Sequence, residues 1–467
     1  MPEPQVCADS SGFGLRHEIL SPMETLAQSV STMAPSTTPV ATIPLVCALS
    51  GNGTWLAYVL ATIAIFLVAW CISRYAKYSA SPGSLYVYAS KTLPAPLSAV
   101  AAWSLLLAYI ATGSSVIGGF YHYLNILLRD AGTRTLSATF LALVVAAISM
   151  AIAWRDVKIS ARLMLWIEVA SLMAIFTVVT LVLSRHGAHL DWEQLRLHGM
   201  TGSGLRLGLV LALFSYVGFE SATTLGTEAR NPLHTIPRAV MQSAVFCGII
   251  FIVCSYAEVL GFRSAAEDLG TSAAPMHVLA TLGGVPAFGV LIDIGALVSL
   301  FAGTLACITA AARVLLLMSH NGLVHRALRN THTRNATPSA AILVTGVATV
   351  LPVAILALRG ASGLDVYGWL GALATYGFIV TYALVSISLP RYLRDLGVFH
   401  SGSRIIPALA FAAMFFALVG NLYPVPEGPY GKLPYVYLVY LAAGMAWFFI
   451  ACRSQRASET VIAEIES

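Results

Sequence analysis

The chain has 467 residues, of which 58% are hydrophobic and only 10% charged, and its mean hydropathy is +0.79. A soluble domain carries about 25% charged residues, so water is excluded as the solvent for most of this chain. The formal net charge of +5 does not point to nucleic acid, because the basic residues are scattered through short segments between apolar runs rather than gathered on one face.

Residues 1 to 19 hold Glu3, Asp9, Arg16 and Glu18 without an apolar core, the pattern of a cytoplasmic tail rather than a cleaved signal peptide. From there apolar runs of roughly 17 to 30 residues recur, each long enough to cross a ~30 Å hydrocarbon layer as a helix. They predict twelve spans. The first six are residues 20–49, 55–73, 97–128, 136–154, 159–183 and 205–225. The second six are residues 236–260, 286–318, 338–358, 364–389, 405–422 and 434–452. Asn52-Gly53-Thr54, between the first two, is a glycosylation sequon that has meaning only in a secretory pathway.

Lys and Arg favour the cytoplasmic side because positive segments resist translocation. With the N terminus inside, eighteen of the 26 Lys and Arg residues fall on the inner side. This predicts an integral plasma (inner) membrane protein with both termini cytoplasmic. The seven cysteines form no C-x-x-C pair and mostly lie inside spans, so neither a metal site nor a disulfide framework is indicated. No segment between spans is long enough for a separate catalytic domain. Nor does any H-E-x-x-H, G-x-S-x-G or paired intramembrane Asp motif suggest an enzyme or a cofactor.

Two spans look interrupted. The first carries Met33-Ala34-Pro35-Ser36-Thr37-Thr38-Pro39 in its middle, and the sixth carries Phe214-Ser215-Tyr216-Val217-Gly218-Phe219-Glu220. Unwound backbone is tolerated at membrane depth only where it lines a cavity, and transporters built from inverted repeats place broken helices at corresponding positions. The pattern predicts repeats over residues 20–183 and 205–389, followed by two peripheral helices over 405–452 and a tail over 453–467. At such breaks the half-helix N-termini offer free N–H groups to an anion and the C-termini offer carbonyls to a cation. A zwitterion fits both. Pro35 removes a helix hydrogen bond, Pro39 suits the first turn of a restarted half-helix, and the hydroxyls of Ser36, Thr37 and Thr38 can bond the freed backbone. Ala34, Pro35, Ser36, Thr37 and Thr38 are therefore candidate substrate-binding residues.

At the sixth span the string FSYVGFESATTLGTEARNPLHTIPRAV resembles the signature of the amino acid, polyamine and organocation permease superfamily. Further resemblance lies in SPGSLYVYASKTL, RDVKISARL and SLFAGTLACITAAARVLLLMSHNGL, and it covers residues 20 to 450. The resemblance implies an all-α, leucine-transporter-like fold of five plus five inverted helices with broken helices one and six. It also implies alternating access and an amino acid or related amine held at the two breaks. Phe214 stands where relatives carry an aromatic that closes over the substrate. Ser215, Tyr216 and Val217 would offer carbonyls to the amine, with Gly218 permitting close approach. The usual glycine-rich break in helix one is replaced here by Ala34-Pro35-Ser36-Thr37-Thr38. Some relatives place a Lys in helix five where Ser171 stands in this chain.

Intramembrane carboxyls are functional candidates by default. Glu220 lies one step beyond the second break and Glu168 lies in span five, and with no Lys or Arg at depth to fix their charge both are candidates to carry a coupling proton. Ser299 and Thr304 in span eight, with the vacancy at Ser171, are candidates for a sodium site instead. Tyr109 is placed to reach the cavity, while His122, Gly113, Gly118 and Gly119 fit helix packing. Asp293 and Glu258 are expected near the outer mouth. The reading is a proton-coupled transporter. The alternatives are an exchanger, a sodium symporter or, least favoured, a sensor.

Overall fold

The computed structural model describes residues 18–80, 84–155, 158–185, 190–332, 335, 337–423, 425 and 428–466. Of the tail expected over residues 1–19, residues 1–17 lie outside them. Among the described residues there are helices and no strands, apart from one isolated parallel bridge between Leu20 and Ala229. Ten helical stretches among the described residues are long and apolar enough to cross a membrane.

The first begins with α1 (Pro22–Met33), fixed by a capping box in which Ser21 Oγ accepts from the Glu24 N–H and the Glu24 carboxylate accepts from the Ser21 N–H. After the interruption a π-helical turn (Thr38–Thr42) leads into α2 (Ile43–Ser50). A 3-10 turn at Gly51–Gly53 then passes to α3 (Thr54–Ala76). The two spans expected here thus lie on one nearly continuous helical stretch. The short α4 (Ser84–Ser90) precedes α5 (Ala95–Asp130), α6 (Ala138–Arg155), α7 (Lys158–Arg185) and the single turn α8 (Trp192–Leu195). The expected sixth span is only α9 (Gly202–Phe214), too short to cross alone, followed by turns and a 3-10 segment over Ser221–Glu228. The second half holds α10 (Pro232–Phe262), the short α11 (Pro275–Leu282), α12 (Pro286–His320), α13 (Ser339–Leu358) and α14 (Gly363–Asp395). It closes with α15 (Ile405–Leu422) and α16 (Leu433–Glu466), so the backbone of the expected tail continues the last helix.

The core lies along α5, which packs against α14 and α12. Lipid is as apolar as leucine, so helices associate here through close packing of small residues. A Cβ on Gly118 of α5 would stand 2.8 Å from Val366 and 3.0 Å from the Gly363 carbonyl of α14. Gly113 and Gly119 are similarly enclosed, as the sequence suggested. The outer surface is apolar instead of polar: Leu351 and Leu358 on α13, Phe416 on α15 and Val439 and Ile450 on α16 are all exposed. That is the signature of a protein solvated by acyl chains.

At the end of the bundle that carries the Gly51–Gly53 turn, Arg263 pairs with Glu193 at 3.1 Å and Asp191 at 3.3 Å, and donates to Asn52 Oδ1 at 2.5 Å. The Asn52 amide in turn donates to the His198 carbonyl at 2.8 Å. Both ends of the sequon side chain are engaged. Burial pushes the Asp191 carboxyl up, but the Gln194 amide and the Arg263 guanidinium outweigh it and hold the group below the usual carboxylate range. The tie is therefore present at neutral pH and is lost as acidification protonates Asp191.

Candidate functional site at two helix breaks

The first break is tightly made. Ala34 takes a left-handed conformation (φ 48°), which ends α1, and its carbonyl accepts from the Thr37 N–H at 2.9 Å and the Thr37 hydroxyl at 2.7 Å. Pro35 brings no N–H, and Pro39 sits in the first turn of the restarted helix with Thr38, as its sequence position suggests. The free N–H expected at the break belongs to Ser36, and it is occupied. It donates to one Glu168 oxygen at 2.8 Å while the Ser36 hydroxyl donates to the other at 3.1 Å. Glu168, from α7, thus takes the place that an anion would take at a half-helix N-terminus. No Lys or Arg bonds to it among the described residues.

Two hydroxyls beside this clamp are unpaired. Ser171, one turn on from Glu168, is buried without a hydrogen-bond partner and packs against Gly295 of α12. Ser299 of α12 faces the Glu168 carboxyl, yet meets no group at hydrogen-bonding geometry. Thr304 instead donates back to the Leu300 carbonyl at 3.0 Å, the usual habit of a helical threonine. There is room around Gly303, where a Cβ would find Ser31, Ala34 and Val116 no closer than 3.7 Å.

The second break begins where α9 ends. The Ser215, Tyr216 and Val217 N–H groups each reach back three residues, to the carbonyls of Ala212, Leu213 and Phe214, which tightens the chain into successive turns. The Tyr216 carbonyl accepts from Phe219 at 3.2 Å, whereas no hydrogen bond reaches the Ser215 or Val217 carbonyl among the described residues. The side chains anchor the turn to α3, with the Ser215 hydroxyl 3.1 Å from Tyr58 and the Tyr216 hydroxyl 2.6 Å from Thr62. Phe214 lies edge-on to Tyr367 at 5.5 Å and against Gly371, both on α14.

Gly218 has φ +101°, a conformation reserved for glycine. The space its missing side chain leaves is filled by the protein: a Cβ there would stand 2.4 Å from Thr32 Cγ2. Its role in this structure is to let the two broken helices touch, where the sequence reading had the substrate approach it. Glu220, fully buried, accepts from Tyr109 of α5 and Tyr382 of α14, each at 2.7 Å. Tyr109 therefore reaches the break by bonding its acid.

Beyond the breaks α1 and the 221–228 segment are laced together. Ser29 donates to the Phe219 carbonyl at 2.8 Å and accepts from the Ala222 N–H, while the Ser221 hydroxyl donates to Thr32. The Leu20 N–H donates to the Glu228 carbonyl and the Leu20 carbonyl accepts from the Arg230 N–H, each at 2.9 Å. Asn231 then adopts a left-handed turn and Pro232 opens α10, which explains the Asn-Pro pair locally. Glu228 forms a nearly buried ion pair with Arg313 of α12 at 2.8 Å. Arg313→Ala leaves that carboxylate uncompensated and is expected to cost about 3 kcal/mol. Replacing both partners by leucine should recover most of it, as a double-mutant cycle on thermal unfolding would show; equal losses in both variants would contradict a paired role.

The two acids expected near the outer mouth are both buried. Asp293 is paired with His277 Nδ1 at 2.7 Å, a partner supplied by α11. The sequence held the signal in a proline-initiated apolar turn carrying a histidine, between spans seven and eight. Glu258, on α10, is fully buried. His122 bonds the Ala273 carbonyl at 3.0 Å, a packing role.

Comparison with known proteins adds independent information. The family model described as "Amino acid permease" matches residues 25–425. The branched-chain amino acid permease BcaP of Bacillus subtilis (strain 168) is 24% identical, over 86% of each chain. The methylthioribose transporter of the same organism is 25% identical over 73% of each chain. The low-affinity putrescine importer PlaP of Escherichia coli (strain K12) is 23% identical over 74% of this chain and 75% of its own.

Proposed function

The chain belongs to the amino acid permease family, and from that premise we propose that it is a secondary active transporter that moves an amino acid or related amine by alternating access, coupled to protons. The compounds for which these relatives are named, branched-chain amino acids, methylthioribose and putrescine, differ in charge. The substrate has to be argued from the site.

One observation carries the reading: the carboxyl of Glu168 on the Ser36 N–H. Protonating Glu168 weakens its hold on that N–H, because a neutral carboxyl is a poorer acceptor than a carboxylate. A substrate carboxylate can then take the freed donor, while its amine meets the Ser215 and Val217 carbonyls. Proton and substrate bind together, which is the condition for symport. A substrate lacking a carboxylate would instead set its ammonium against ionised Glu168, so amines fit the same site. Glu220 serves as a bolt between the second break, α5 and α14, and gives the site a fixed wall.

Helix packing supports the two repeats over 20–183 and 205–389. Three helices of the first, α3, α5 and α6, pack on their counterparts α10, α12 and α13. The crossed contacts α6 with α12 and α5 with α13 are both formed, as a two-fold relation requires. By the distribution of Lys and Arg, the Glu228–Arg313 end is cytoplasmic and closed, and both termini lie on that side of the plasma membrane. Sodium coupling has one observation in its favour, the unpaired hydroxyls of Ser171 and Ser299 beside Glu168.

Counterflow in proteoliposomes, screened with amino acids and amines as competitors, tests the function and names the substrate. Counterflow with none of them would refute it. Phe214→Ala is expected to lower transport roughly tenfold and binding much less, since a closing aromatic acts on the conformational step. Equal losses in both would make it an ordinary contact.

A further inference from the structure

One carboxyl is left over from this site. Glu258 lies one turn from the end of α10, is 0% exposed, and neither of its oxygens has a hydrogen-bond partner among the described residues. The nearest cation along the chain, Arg263, is committed to Asp191, Glu193 and Asn52. The ionisable groups close enough to feel the charge of Glu258 include Cys47 on α2, Tyr58 on α3, Tyr123 on α5 and Cys254 one turn earlier on α10. None carries positive charge.

A buried carboxylate with neither a donor nor a counter-ion from the protein is among the costliest groups a membrane protein can hold. A metal cation would need several ligands converging on one point, whereas among the described residues no group of three or more His, Cys, Asp or Glu side chains is placed to hold one. A proton satisfies the site by itself. The surroundings also tie the group to the breaks. Tyr58 bonds Ser215 in the second break, and Tyr123 donates to the Val40 carbonyl just past the first. Any motion of α2 or of the second break away from α3, α5 and α10 would admit water to Glu258.

We propose that Glu258 is a proton-binding site, separate from Glu168 and Glu220, that is filled while α2 lies against α10 and emptied when the half-helix moves away. The emptying rests on the transport reading; the bound proton does not. Difference infrared spectroscopy on the purified full-length protein tests the proton directly. A protonated-carboxyl band should persist at neutral pH, vanish in Glu258→Gln and shift in Glu258→Asp, with thermal unfolding confirming that both variants fold. A spectrum that is the same in all three overturns the proposal. In counterflow, Glu258→Gln should flatten the dependence of rate on pH, and a profile matching the unsubstituted protein would overturn the emptying step. Absence of counterflow in the unsubstituted protein counts against the transport reading alone, and the infrared result still decides the proton site.

Discussion

Glu168→Gln is expected to abolish accumulation driven by a pH gradient while the protein stays folded. Glutamine keeps an oxygen for the Ser36 N–H, which Glu168 now holds at 2.8 Å, but it cannot gain or lose a proton. The Ser36 donor is then never released by protonation, and the proton gradient has no group on which to act. One coupled charge at ~100 mV is worth about 2.3 kcal/mol and supports roughly 50-fold accumulation. The variant should fall by that factor, to equilibration. Glu168→Asp retains the proton on a shorter arm and should keep a reduced gradient. Full accumulation by the glutamine variant would remove Glu168 from the coupling.

Gly218→Leu is expected to disrupt the protein at the contact between the broken helices. Two costs add. The backbone at φ +101° strains any side chain, and the new Cβ falls 2.4 Å from Thr32 Cγ2. Strain and overpacking each cost about 1–3 kcal/mol, so the sum rivals the stability of a typical domain's weaker elements. Gly218→Ala isolates the contact. Combined with Thr32→Ser, which removes Cγ2 and keeps the hydroxyl that accepts from Ser221, it should regain part of the loss in melting temperature. No recovery would assign the loss to the backbone strain and to the contacts that remain with Thr32 Cβ at 2.7 Å and its backbone carbon at 3.0 Å. A fully stable Gly218→Leu that merely fails to bind substrate would return this glycine to the substrate cavity.

Much of this architecture was legible before any coordinates. Proline at positions 35 and 39 disrupts helix for local reasons, and the first break falls there. The acidic, Asn-Pro and Ile-Pro-Arg elements past Glu220 carry the family likeness, and the family match spans most of the chain. What stayed hidden depends on partners far apart in sequence. Ser36 and Glu168 are separated by 132 residues, and Tyr382 and Glu220 by 162; no spacing rule links them. Gly218 announces that a Cβ is excluded but not what excludes it, and only packing identifies Thr32. His277 lies on α11, which is too short to register as a span, so the hydropathy pattern gives no sign of the partner that Asp293 has. The sixth span resolves into α9, ending at Phe214, and a 3-10 segment over Ser221–Glu228, and the turns between them fall on the interruption that the sequence places at residues 214–220.

The most direct test of proton-coupled transport through these breaks is uptake into proteoliposomes of the purified protein, under an imposed inward proton gradient and without sodium. The substrate should rise above equilibrium and the accumulation should collapse when a protonophore is added. Accumulation that requires an inward sodium gradient and ignores the protonophore would contradict the account, and would assign coupling to the hydroxyls of Ser171 and Ser299 in place of Glu168.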